Sequence, residues 1–191
     1  LFVHWPDMKT SLEEMTDAMK TLMQQGKILH YGLSNFTLED TCRADDLLHV
    51  AAVQLPYSMV DKESEEMLLE AKKRGIGTMT YGSLGSGILT GAYRTIPTFG
   101  KMDARASFYH FFEEPMFSKI QKLLGVMDEI AAAHQATVSQ VAIQWSVRQE
   151  FVDTAILGVS KEKHARQNCD TFTWEMDEEE MKKLDEAVEN L

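Results

Sequence analysis

Only two of the 191 residues are cysteine, Cys42 and Cys169. That is too few for a small secreted scaffold held by disulfides, and no close ligand spacing accompanies them, so both read as ordinary thiols. The six histidines are widely dispersed, and no metal site is expected. Positive charge is also short: 19 basic residues against 30 acidic ones leave a net charge of -11. With no basic run, nothing points to nucleic acid as a partner. A single anionic cofactor stays compatible, because backbone N–H groups bind phosphate even in an acidic protein. No apolar run is long enough to span a bilayer, so no membrane partner is expected. The opening Leu1-Phe2-Val3-His4 lacks the basic start and long apolar segment of a signal peptide, which makes the cytoplasm the default location. An initiator methionine is missing as well, and the expectation is that Leu1 lies inside a longer chain.

What is present is an alternation of short apolar runs and longer amphipathic ones, in a length that suits one domain with a sizeable core. Leu1–Val3 reads as a strand. Ser11 and Glu14 form a capping box for a helix carrying Leu12, Met15, Met19, Leu22 and Met23 and stopped by Gly26. Ile28–Leu33 reads as the next strand, followed by a helix from Thr37 to about Leu48. Val50–Leu55 and Ile76–Tyr81 are further strands, separated by a charged helix between Lys62 and Arg74. The stretch from Gly82 to Glu114, rich in glycine and aromatics, lacks regularity. A loop crossing a ligand face explains it, and so does a surface excursion packed by its own rings. Helices are expected over Met116–His134 and, behind a Thr137/Gln140 cap, Val138–Arg148. Ala155–Leu157 is a last strand, Gly158-Val159-Ser160 opens another helix, and Asp177 with Glu180 caps the final one. Repeated strand–helix order argues for right-handed crossovers and a parallel sheet. Five strands do not close an eight-stranded barrel, yet an open sheet starting at Leu1 would expose an edge. The fold class that reconciles these is α/β: a parallel β/α (TIM-type) barrel, present as an incomplete C-terminal portion across residues 1–191.

Several polar residues stand where such a sheet places ligand groups, just after strands. His4 is positioned to donate a hydrogen bond to a carbonyl, or to serve as a satisfied structural histidine. Ser34, Asn35 and Gln54 offer donors and acceptors for a planar carboxamide, although each alone also suits a turn. Tyr81 precedes Gly82-Ser83-Leu84-Gly85-Ser86-Gly87, where an aromatic platform would meet glycines that permit close backbone approach. The bland alternative is a rim aromatic followed by a flexible turn. Gly158, Val159 and Ser160 lie where a strand meets a helix, with Lys161, Lys163, His164 and Arg166 adding local positive charge. Gln167 and Asn168 suit either contacts to a base or the end of that helix.

In this order the motifs resemble those of the aldo-keto reductases. The landmarks are Leu1-Phe2-Val3-His4-Trp5-Pro6, Gly26–Phe36, Gln54-Leu55-Pro56-Tyr57, Tyr81–Gly91 and Gly158-Val159-Ser160. The resemblance implies a barrel that binds NADP(H) or NAD(H) in an extended pose and reduces a small aldehyde or ketone. It places His4 at the substrate carbonyl, Ser34, Asn35 and Gln54 on the carboxamide, and Tyr81 beneath the nicotinamide ring. Ser83–Gly87 would approach the pyrophosphate, and Gly158–Ser160, His164, Gln167 and Asn168 the adenosine end. The family's catalytic tyrosine, aspartate and lysine belong to earlier barrel elements, so this chain alone is expected to be inactive. His164 stands where many NADP-preferring members carry arginine, a permanent phosphate fork. NADP(H) is still favoured on the resemblance. The other readings are a truncated, non-catalytic dinucleotide-binding or structural protein and a non-functional fragment. In the last case the open sheet edge would promote self-association.

Overall fold

A computed structural model of the chain describes residues 1–7, 9–100 and 102–191. The chain divides into two compact units. The first comprises Leu1–Leu55, Glu63–Thr80 and Phe151–Thr154, and the second Pro56–Lys62, Tyr81–Glu150 and Ala155–Leu191.

The first unit alternates strand and helix: β1 (Phe2–Val3), α1 (Leu12–Gln24), β2 (Gly32–Ser34), α2 (Leu38–Leu47), β3 (Ala52–Pro56), α3 (Glu65–Lys73) and β4 (Gly77–Tyr81), with β5 at Thr154–Ala155. The strands form one sheet in the order β1-β2-β3-β4-β5. The β1–β2 and β2–β3 pairs are parallel, with Phe2 beside Gly32 and Ser34 beside Gln54. Gly32 is dictated by this packing, because a Cβ there would lie 2.6 Å from both the Ala52 carbonyl oxygen and the Phe2 ring. Leu33, Val53 and Leu55 are buried, together with Leu68 from α3. Tyr31, also buried, donates its hydroxyl to the Leu48 carbonyl at 2.6 Å, answering an acceptor that the end of α2 leaves open. Burial first, then the nearby Asp45 carboxylate, pushes this phenol up to about 12.

Local signals are realised at the helix starts. The Ser11/Glu14 capping box is formed, and Thr37 accepts from the Asp40 amide. The second strand is shorter than its apolar run suggests. Ile28–Tyr31 lies outside it and Leu29 is 80% exposed, so β2 is confined to the three residues that ladder with β3, the first two of which also ladder with β1.

The second unit is helical. Its elements are α4 (Arg105–Phe108), α5 (Met116–Ala133), α6 (Val138–Val147), α7 (Glu162–Asp170) and α8 (Glu178–Glu189), with 3-10 turns at Gly85–Thr90, His110–Phe112 and Thr171–Thr173. On α5, Ile120, Leu123, Leu124, Met127 and Ile130 recur at helical spacing and are all buried. Trp145 of α6 is 2% exposed; it stacks on Tyr57 at 5.7 Å and donates its indole N–H to Asp185 of α8. Gln144, one residue earlier, donates to the Thr171 and Trp174 carbonyls and accepts from the Met176 amide. Capping boxes at Thr137/Gln140 and Asp177/Glu180 form as expected. α7 starts later than the sequence suggested: Lys161 is its cap and Glu162 its first residue, so Gly158–Ser160 precede the helix. Between Gly82 and Glu114, Tyr93, Phe99 and Phe112 meet edge-on, and the Arg105 guanidinium lies 4.7 Å over Phe99. Packing by its own aromatics is therefore a real property of this stretch.

Candidate functional site

At the strand ends of the first unit, His4, Ser34, Asn35 and Gln54 are tied into one network. Asn35 Nδ2 donates to the His4 carbonyl at 2.8 Å and to Ser34 Oγ at 3.0 Å. Ser34 Oγ in turn donates to the Gln54 carbonyl at 3.0 Å. The register that sets Ser34 beside Gln54 makes this last bond possible. Ser34 is buried, while His4 is exposed just beyond β1. Asn35 has a φ of 63°, a left-handed conformation that asparagine adopts more readily than most side chains.

In the second unit, Tyr81 is half-buried, and burial, followed by the charge of Asp61 and the neighbouring Tyr109, raises its phenol above the usual range. The next six residues turn tightly. Gly82, Gly85, Ser86 and Gly87 all have positive φ, and the Gly85 and Gly87 amides bond back to the Gly82 and Leu84 carbonyls. Gly85 cannot carry a side chain, since a Cβ would come within 2.7 Å of Val60.

This loop and the segment after β5 wall a cavity of about 300 Å³ lined by Gly82, Ser83, Leu84, Ser86, Gly87, Ile156, Leu157 and Gly158. Leu84 and Gly158 also line a second cavity, of about 520 Å³, with Lys163, His164, Gln167 and Asn168. Ser83 is 2% exposed, and its hydroxyl has no hydrogen-bond partner among the described residues. A buried hydroxyl left this way is costly, and a ligand oxygen would relieve it. A nicotinamide dinucleotide fits such walls: close-approach glycines and an orphaned hydroxyl suit phosphate, and a lysine, a histidine and two amides suit a phosphorylated ribose and a base.

Neither cavity is lined by His4, Ser34, Asn35, Gln54 or Tyr81, nor by three residues named from the two loops themselves. Gly85 packs on Val60, Val159 is exposed, and Ser160 Oγ lies 3.2 Å from His164 Nδ1. Thr90, Ala92, Thr137, Ser139 and Gln140 line the larger cavity without having been singled out for it. Thr137 and Gln140 were legible only as a cap. The polar first turn of an otherwise apolar α6 was the one local hint that this end faces something polar. No helix among the described residues is long and apolar enough to cross a membrane.

Residues 1–189 match the model of the Aldo/keto reductase family. Aldo-keto reductase YhdN of Bacillus subtilis (strain 168) is 34% identical over 98% of this chain and 57% of its own length. Aldo-keto reductase yakc [NADP(+)] of Schizosaccharomyces pombe is 27% identical over 99% of this chain and 56% of its own. The structure of the glycerol dehydrogenase AKR11B4 from Gluconobacter oxydans matches 98% of this chain and 57% of that one, at 30% identity and a TM-score of 0.89. The chain thus spans little more than half the length of these relatives. With that match along nearly its whole length, the chain belongs to the aldo/keto reductase family.

Proposed function

We propose that the intact protein reduces an aldehyde or ketone with NADP(H), NAD(H) being the second choice, and that these residues are the C-terminal portion of its β/α barrel. Family membership supports the reaction class. The observation that carries the cofactor reading is the pair of cavities sharing Leu84 and Gly158, next to the partnerless hydroxyl of Ser83. When bound, the reduced dinucleotide supplies the hydride.

The chain's own residues bind and orient. Ser34, Asn35 and Gln54 hold the carboxamide, and Tyr81 gives the ring a flat apolar support. Ser83, Leu84, Ser86 and Gly87 face the pyrophosphate. Gly158, Lys163, His164, Gln167 and Asn168 take the adenosine end, with Ser160 orienting His164. Lys163 and His164 favour the phosphorylated cofactor, although histidine is a weaker phosphate partner than arginine. His4 donates to the substrate oxygen and polarises the carbonyl. The proton donor belongs to the preceding part of the barrel, so the 191-residue chain alone does not turn over, and the intact protein works in the cytoplasm.

His4→Ala in the intact protein lowers carbonyl turnover by about a hundredfold and leaves dinucleotide affinity unchanged, whereas Tyr81→Ala lowers that affinity by about tenfold. Fluorescence titration and steady-state kinetics separate the two. Unaltered kinetics in His4→Ala, or unaltered affinity in Tyr81→Ala, removes that residue from its role.

A further inference from the structure

The bonds that join the ends of β1, β2 and β3 have a direction fixed by chemistry. The His4 carbonyl oxygen can only accept, so the Asn35 atom 2.8 Å away is the amide nitrogen. The same nitrogen donates to Ser34 Oγ, whose own proton goes to the Gln54 carbonyl. A primary amide has two hydrogens, and both are committed within the protein. The side-chain donor of Asn35 is therefore engaged inside the protein.

β1 is only two residues long, and its ladder to β2 ends at Val3 beside Leu33. His4 lies one residue beyond that ladder, with an exposed side chain. The Asn35 bond to the His4 carbonyl extends the hold of β2 over the residue that carries the imidazole. We propose that Asn35 is a positioning residue for His4, fixing its backbone through the Nδ2 donor. This rests on the carbonyl-reducing role given to His4 above.

Two substitutions separate the two faces of the amide. Asn35→Asp keeps an oxygen acceptor but replaces the donor with a second acceptor, which the His4 carbonyl repels. Asn35→Gly keeps the left-handed backbone without strain and removes both faces. In the intact protein, with NADPH and 4-nitrobenzaldehyde as the probe carbonyl, Asn35→Asp lowers kcat at saturation by at least about tenfold. Its NADPH affinity stays within about threefold of the parent, because an oxygen of the same size remains at the Oδ1 position and only the donor to His4 is lost. Asn35→Gly loses both. An Asn35→Asp protein with full kcat and weakened NADPH binding overturns the proposal. A second arm needs no turnover: in the 191-residue chain, the His4 ring resonance shifts or broadens in both variants, and an unmoved resonance also overturns it. If the intact parent reduces no carbonyl, the proposed function fails, while the ring resonance still decides whether Asn35 holds His4.

Discussion

Ser34 and Ser83 both stand at the exit of a strand and are almost equally shut off from solvent, at 1% and 2% exposure. Their hydroxyls have opposite situations. Ser34 gives its proton to Gln54 and receives one from Asn35, whereas Ser83 has no partner among the described residues. The first belongs to a network that holds strand ends together, with one lone pair of its oxygen left over for a further donor. The second is left incomplete, and its energy becomes available only when something binds. Burial alone does not tell how much hydrogen-bonding capacity a polar group has left; the state of its bonds does.

The largest expected effect tests whether a completed network stabilises wherever it occurs. Gln144 is buried and makes three bonds to backbone groups of the segment between α7 and α8. Gln144→Ala strands two carbonyls and an amide and lowers stability by about 3 kcal/mol, measured by urea unfolding. A loss under about 1 kcal/mol would mean that water replaces the side chain and that closure counts for little.

Next come the two serines themselves. Ser34→Ala costs about 1–2 kcal/mol, because the Asn35 donor loses an acceptor and the Gln54 carbonyl a donor. Ser83→Ala changes the stability of the ligand-free protein by no more than about 0.5 kcal/mol, since no bond is broken, but weakens dinucleotide binding. Equal destabilisation by the two changes would erase the contrast.

The smallest effect concerns charge. The Lys72 ammonium, 2.6 Å from Asp153, and the Thr78 amide hold the Asp153 carboxyl below its usual range. Its folded-state value is depressed, so its contribution is fully present above the ordinary aspartate pKa of about 3.9 and is lost as pH falls through the lower folded value. The pair is half-exposed and screened by water, so the contribution is small. Thermal melts of Asp153→Asn fall slightly below the parent at neutral pH and converge with it in strong acid. A constant offset down to the lowest pH would assign the effect to packing instead.

Much of this was legible in the chain because it is written locally. Ser11/Glu14, Thr137/Gln140 and Asp177/Glu180 act within one helical turn, and the caps follow from spacing alone. The order His4, Ser34–Asn35, Gln54, Tyr81 was readable as strand-end polarity. What escaped depends on partners distant in sequence. Ile28–Tyr31 is apolar enough for a strand, but only Gly32–Ser34 ladders with neighbours, Gly32 and Leu33 with β1 and all three with β3. Ser139 and Thr90 line the larger cavity through tertiary packing that no local pattern announces. Ser34 was readable as a polar strand end, but nothing in its neighbours revealed that its hydroxyl would be engaged by Asn35 and Gln54.

The indole of Trp145, sealed beneath Tyr57 and anchored to Asp185, has an optical consequence. It is shielded from aqueous quenchers, while Trp5 in the other compact unit is 58% exposed. Blue-shifted, acrylamide-resistant emission therefore follows the helical unit, while the quenchable emission sums Trp5 and the partly exposed Trp174 of the helical unit. The helical unit thus has a native reporter, and its unfolding can be followed without attaching a dye.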